Sequence, residues 1–390
     1  MTFTAQDLLW LLLPLAAASG WFVARLEHKR QNRPQDIELP SAYFKGLNYL
    51  LNEQPDKAIE LFIRVLEVNT ETVETHLALG NLFRRRGEVE RAIRIHQNLI
   101  ARPTLDKEQR SQALMELGQD YMKAGLFDRA ENLFLELAED RAHAAHALRQ
   151  LLHIYQQEKE WGQAIQACRK LMRISGADMS PVIAQYQCEL AEDAFSASDY
   201  ASARAHIKQA LSSDPRCVRA TILQGNIEAA SGQHRDAIRA WRRIENQNAS
   251  MLGEVAERIA NSYLALNDSE GMYSFFSDAA ERHNSVAIMS VLADIIKQRE
   301  GVQAAEAFVI DWLRRHPNVA GLSLLVNLNM EKHDGRRGSD LALLKGIIEQ
   351  LQGRHEGYVC QQCGFKGRSM HWLCPGCNQW NTIKPNVETE

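Results

Sequence analysis

The sequence predicts an all-α protein: a solenoid of paired helices, preceded by one apolar membrane-length helix and closed by a small four-cysteine module. Three observations carry that prediction. A pattern of small, aromatic, alanine and large apolar residues recurs about every 34 residues between positions 41 and 352. Leu8 to Ala24 contains no ionisable side chain. Near the C-terminus, Cys360-Gln-Gln-Cys363 and Cys374-Pro-Gly-Cys377 form two CxxC pairs ten residues apart. At 390 residues the chain is too long for one ordinary core unless it is a repeat array. Its 45 basic and 49 acidic side chains nearly cancel, so no global field calls for nucleic acid.

The N-terminal segment, residues 1–26, reads as a transmembrane anchor. Seventeen apolar residues at about 1.5 Å rise span roughly 26 Å, enough for a thin hydrocarbon layer. Trp10 and Trp21 stand near its ends, where aromatic belts form, and Pro14 kinks such a helix without excluding it. A cleavable signal peptide needs positive charge ahead of the apolar run, and residues 1–7 carry none. Arg25, Lys29, Arg30 and Arg33 follow it instead. The positive-inside rule therefore places the N-terminus outside and the remaining chain in the cytoplasm, on a single pass. Reduced thiols suit that compartment.

Residues 27–40 form a polar linker containing Pro34 and Pro40, and the array occupies 41–352. Its clearest copies are Gly46, Tyr49, Ala58, Phe62; Gly80, Phe83, Ala92, His96; and Gly118, Tyr121, Ala130, Phe134. Weaker copies lead from Leu152, Ala191, Gly225, Ala260 and Ala293, with leading positions 34, 38, 34, 39, 34, 35 and 33 apart. A ninth helical pair, about 319–332 and 339–352, caps the array. Small residues suit the close approach of helix A to helix B within a unit, with the aromatic filling the gap beside them. Gly87, Gly125 and Gly232 fall at the turn between helices, where a left-handed cap is useful. The period and placement resemble the tetratricopeptide repeat, which implies a right-handed solenoid with a concave groove lined by the A helices.

In that family the residue after the small one faces the groove, which selects Asn81, Gln119, Asn226 and Asn261 as candidate grips for an extended peptide. Arg84, Arg85, Met122 and His153 are further groove candidates on the same reasoning. Inter-helix hydrogen bonds or plain solvation account for these polar residues equally well. Nothing reads as HExxH, GxSxG, a Walker loop or a dinucleotide-binding loop, so the expectation is a non-enzyme. Cys168, Cys188 and Cys217 stand singly and read as small buried apolar residues.

Cys360, Cys363, Cys374 and Cys377 have the spacing of two knuckles that close a tetrahedral thiolate shell, leaving no position for substrate. Gly364 and Asn378 follow the two knuckles and tolerate the left-handed backbone that turns N–H groups toward sulfur. His371 lies between the knuckles but is not needed. Residues 357–385 bury too little apolar surface to fold without metal, so some of Tyr358, Phe365, Trp372 and Trp380 are expected to dock on the last helical repeats. Tyr-x-Cys-x-x-Cys-Gly-Phe followed by Trp-x-Cys-Pro-x-Cys looks like a shortened rubredoxin. One Zn²⁺ is favoured, and iron, which would open electron transfer as an alternative function, also fits four thiolates.

Anchor, repeat array and CQQCGF…WLCPGC tail, in that order, resemble the lipopolysaccharide assembly protein B family of the Gram-negative inner membrane. The resemblance implies a non-enzymatic regulator of lipopolysaccharide synthesis that presents the lipid A pathway deacetylase to the membrane protease FtsH. Other inner-membrane envelope proteins would act through the anchor, whose outer N-terminus the resemblance places in the periplasm. A structural scaffold for envelope synthesis enzymes is a third reading, and self-association of the array is left open.

Overall fold

The computed structural model describes residues 41–52, 54–68, 73–331, 336–352 and 357–385. The anchor at 1–26 and the linker at 27–40 lie outside them. Among the described residues no helix is long and apolar enough to cross a membrane. The chain divides into two compact units between Leu137 and Ala138.

The first unit holds three helical pairs: α1 (Ser41–Leu51) with α2 (Pro55–Val68), α3 (Val73–Arg85) with α4 (Val89–Ile100), and α5 (Lys107–Lys123) with α6 (Phe127–Ala138). The second begins with α7 (Ala144–Gln157) and α8 (Trp161–Ser175), α9 (Ser180–Ser196) and α10 (Tyr200–Ser213), and α11 (Val218–Ala230) and α12 (His234–Arg242). It continues through a short α13 (Ile244–Asn248) to α14 (Ala256–Ala265) and α15 (Ser269–Arg282). Then come α16 (Val286–Glu300) and α17 (Val302–Arg315), followed by α18 (Val319–Met330) and α19 (Arg336–Gln352). The first helix of each pair is an A helix and the second a B helix.

The repeat pattern explains the packing. Alanines 58, 92, 130, 164, 203, 237 and 305, one in each of seven B helices, are fully buried. Four residues on, Phe62, His96, Phe134, Cys168, Ile207, Trp241 and Val309 fill the space against the partner A helix and are at most 2 % exposed. That space exists because the A helix has a small residue there: a methyl group built on Gly118 would sit 2.5 Å from the Phe134 ring. Burial pushes the Cys168 thiol up to about 12, so it behaves as an apolar filler. Cys188 and Cys217 are also fully buried, with Sγ atoms 3.9 Å apart.

Helix starts carry ordinary caps. Asp106 opens α5 with a capping box to Gln109, and Asp199, Asp268 and Asn318 accept from the first turns of α10, α15 and α18. Each is worth about 1 kcal/mol. The left-handed turn between A and B helices recurs in seven pairs, at Gly87, Gly125, Lys159, Ser198, Gly232, Asn267 and Gly301. The sequence flagged only the first, second and fifth: Lys159, Ser198 and Asn267 hold positive φ without being glycine, and Gly301, though a glycine, was passed over.

One stretch departs from the paired-helix pattern. α12 stops at Arg242, and after α13 two single-turn 3-10 helices, Ala249–Met251 and Gly253–Val255, precede α14. Met251, Leu252 and Val255 are at most 2 % exposed, so the irregular stretch is pinned by its own apolar side chains.

Gly118→Leu should destabilise the first unit by about 1–3 kcal/mol through overpacking against Phe134. Gly162→Leu, where an added Cβ meets nothing within 4 Å, should be neutral or stabilising. Denaturant unfolding of both variants checks the pair.

Candidate metal centre and its docking face

The C-terminal module is a three-stranded antiparallel sheet in the order β2 (Lys366–Gly367), β1 (Tyr358–Cys360), β3 (Ile383–Pro385). Cys360 closes β1, and Cys363, Cys374 and Cys377 come from the two knuckles. Their sulfurs all lie within 4.8 Å of one another. Cys360 and Cys377 are 3.8 Å apart, and Cys363 and Cys374 3.7 Å. Four sulfurs about 2.3 Å from one tetrahedral centre would be roughly 3.8 Å apart. The donor set therefore fits a single thiolate-bound metal.

The backbone prepares the sulfurs for it. Gly364 and Asn378 both take positive φ, 75° and 54°, as the sequence requires of knuckle ends. The amides of Gln362 and Cys363 point at Cys360 Sγ from 3.4 and 3.5 Å. Desolvation pushes the Cys360 thiol up, but hydrogen bonding to Thr382 and to those amides outweighs it and brings the pKa to about 6. That shift favours the thiolate at Cys360, the form a metal binds, while the thiols of Cys363 and Cys377 in the same cluster are pushed up. Exposed His371 sits 3.1 Å from Ser369 Oγ and is not part of the cluster.

The module's aromatics do dock on helices, but not on the last repeats as expected. They land in the middle of the second unit, on A helices α7, α9 and α11 and on Trp161 at the start of B helix α8. Trp380 meets Trp161 and Tyr186 edge-on, with ring centroids 6.3 and 5.7 Å away, while Trp161 and Tyr186 stack at 5.6 Å. Its indole N–H donates to Gln156 Oε1 at 3.3 Å. Tyr358 donates to Glu254 Oε1 at 2.7 Å, within the irregular stretch before α14. Met370 and Trp372 pack against the apolar core of the same region. At the observed place Trp161 and Tyr186 supply a stacked aromatic platform for these bulky flat side chains.

Arg219 on α11 holds the centre. It is 3 % exposed, and its guanidinium lies 5.9 Å from the Trp372 ring and 5.8 Å from the Trp380 ring. Nη2 donates to Glu189 at 2.8 Å and Glu192 at 2.9 Å, both on α9. Buried cation, paired carboxylates and two indole faces form one unit that ties α9, α11 and the module together. Sequence reasoning missed Gln156, Trp161, Tyr186, Arg219 and Glu254. The only available signal was a lone arginine among apolar residues at the start of α11.

The groove candidates separate. Arg84 is bonded within its own unit, donating to Asp120 Oδ1 at 2.7 Å, Glu116 Oε2 at 2.6 Å and Gln119 Oε1 at 3.0 Å. Fully buried Asp120 also lies 2.5 Å from His96 Nδ1. Arg84 and Gln119 thus clamp α3 to α5. Asn226 accepts from Arg258 at 3.4 Å and lines a cleft of about 190 Å³ beside Trp372. Asn81 and Met122 are half-buried, and Arg85, His153 and Asn261 are exposed.

Trp380→Ala should cost about 2–4 kcal/mol of docking and raise protease cleavage before residue 358, with bound metal retained. Equal protease resistance would contradict the clamp. Arg84→Ala should destabilise the first unit by about 3 kcal/mol, because Asp120 is left buried with one partner fewer. An unchanged unfolding midpoint would return Arg84 to a purely surface role.

Residues 358–385 match the family described as a rubredoxin metal binding domain, and 75–111, 115–178 and 188–249 match tetratricopeptide repeats. Lipopolysaccharide assembly protein B of Escherichia coli (strain K12) is 37 % identical over 380 residues, covering 97 % of this chain and 98 % of that protein. The protein of the same name from Haemophilus influenzae is 35 % identical over 389 residues, again covering 97 % and 98 %. On identity sustained over almost its whole length, the chain belongs to the lipopolysaccharide assembly protein B family.

Proposed function

We propose that the chain is a non-enzymatic, membrane-tethered adaptor that regulates lipopolysaccharide synthesis by presenting the lipid A pathway deacetylase to the membrane protease FtsH. One observation carries the reading: kinship over 97 % of the chain with proteins named for lipopolysaccharide assembly. The architecture supports it, since stacked helical pairs offer side-chain faces to protein partners rather than a catalytic pocket. Asn81, Arg85, Met122, His153 and Asn261 remain the residues for gripping an extended segment. The four thiolates hold zinc, and the closed shell supplies folding rather than chemistry. No observation favours electron transfer.

The tether acts through effective concentration. A short linker from an apolar anchor confines the array to the bilayer that also holds the protease, which makes delivery of a captured substrate nearly intramolecular. Deleting residues 1–26 should leave the repeats folded yet abolish turnover of the deacetylase in cells. Undiminished turnover with that fragment would sink the tether. Cys360→Ser or Cys374→Ser should lose the metal and undock the module, measured by metal content and protease resistance. Retention of both would remove the structural role of the site.

A further inference from the structure

Three successive B helices of the second unit share a charge pattern that the repeat fold does not require. α8, α10 and α12 carry three, two and three basic residues against one acidic residue, Asp236. The B helices α6 and α15 are the reverse, each with three acidic residues and one basic. The bias is positional as well. Arg169, Lys208 and Arg242 each stand five residues after the packed alanine of their helix, at equivalent places in consecutive pairs, and all three are exposed. Arg235 and Arg173 are exposed beside them.

A cleft of about 500 Å³ opens between α10, α12 and A helix α11, lined by Arg204, Arg239 and Arg243 with Glu228 of α11 and Asp236 as counter-charges. Arg204 is committed to Glu228 at 2.9 and 2.8 Å. Arg239 is 79 % exposed, and its pair with Asp236 at 2.9 Å is a weak surface one. The cleft has room for a headgroup-sized anion.

We propose that the exposed side of α8, α10 and α12 is a docking surface for an anionic phospholipid bilayer. A protein interface would centre on aromatic or aliphatic anchors. Among the large apolar side chains described, only Ile174 is exposed on these three helices. An anionic bilayer asks for a cationic face with a basic excess. The competing acids here sit at the helix ends, where Asp199 and Asp214 accept from backbone amides. Exposed Glu160 stands before α8, and Glu139 lies 3.8 Å from Lys170. The preference for a bilayer over an acidic protein rests on the tethered reading above, which holds the array near lipid. Docking this face would turn the opposite A-helix side, with its clamped metal module, toward the cytoplasm.

The test uses the full chain in nanodiscs, with a diazirine-bearing amino acid placed at exposed Gln209 on α10. Lipid adducts at that position are counted on phosphatidylcholine discs and on discs with about one-third phosphatidylglycerol. The expected result is at least about five-fold more adducts on the anionic discs. That excess should vanish at high salt and in the triple variant Arg169→Gln, Lys208→Gln, Arg235→Gln, with melting unchanged. Equal labelling on both discs, or undiminished labelling of the triple variant, overturns the proposal. So do protein adducts in place of lipid adducts in native membranes, which would assign the face to an acidic partner. A chain that fails to enter neutral discs but labels anionic ones through these cations refutes the tether and leaves the basic face standing.

Discussion

A module of 29 described residues, 357–385, cannot exclude enough water to hold itself together. Everything distinctive about the C-terminal half follows from that constraint. Four sulfurs supply the missing core: Cys360, Cys374 and Ile383 are the module's buried centre, so the metal site stands where an ordinary domain would put leucines. Its aromatics are then left pointing outward. They gain burial only by sitting on another surface, and Trp161, Tyr186 and Arg219 are shaped to receive them.

The docking face contains a cost as well as a gain. Nη1 of Arg219 is buried without a hydrogen-bond partner among the described residues, which costs about 1–3 kcal/mol. Two carboxylates and two indole faces offset it, the indoles by about 0.5–2 kcal/mol each. Removing the module would take away the indoles and expose a guanidinium that water solvates readily. The clamp is therefore a balance of comparable terms rather than an inert seam, and it couples metal occupancy to the order of α9 and α11.

Much of this was legible in the sequence. The repeat period placed the alanines and their large partners correctly because close helix packing admits few side chains. The clustering of the four cysteines and both left-handed knuckle residues were legible too, because a CxxC knuckle fixes its own spacing and backbone turn. The destination of the module was not. Nothing local distinguishes Tyr186 or Arg219 from other A-helix residues, since their roles depend on a segment more than 150 positions away. Arg84 was misleading in the opposite way: it stands where a groove residue should, but Glu116 and Asp120 on the next A helix neutralise it. The irregular stretch before α14 also escaped notice, because Met251, Leu252 and Val255 mimic a helical pattern while collapsing into single turns.

The functional picture joins these parts. Family membership directs attention to lipopolysaccharide assembly, the repeats provide faces for partners, and the four-cysteine module packs on the middle of the second unit. The central claim is that thiolate-bound metal holds the module, and through it the A-helix face. Hydrogen exchange of the full chain, metal-loaded and chelator-stripped, tests this most directly. Stripping should accelerate exchange in α9 and α11 as well as in residues 358–385, while α16 and α17 keep their protection. Unchanged protection of α9 and α11 after the metal is gone would contradict it.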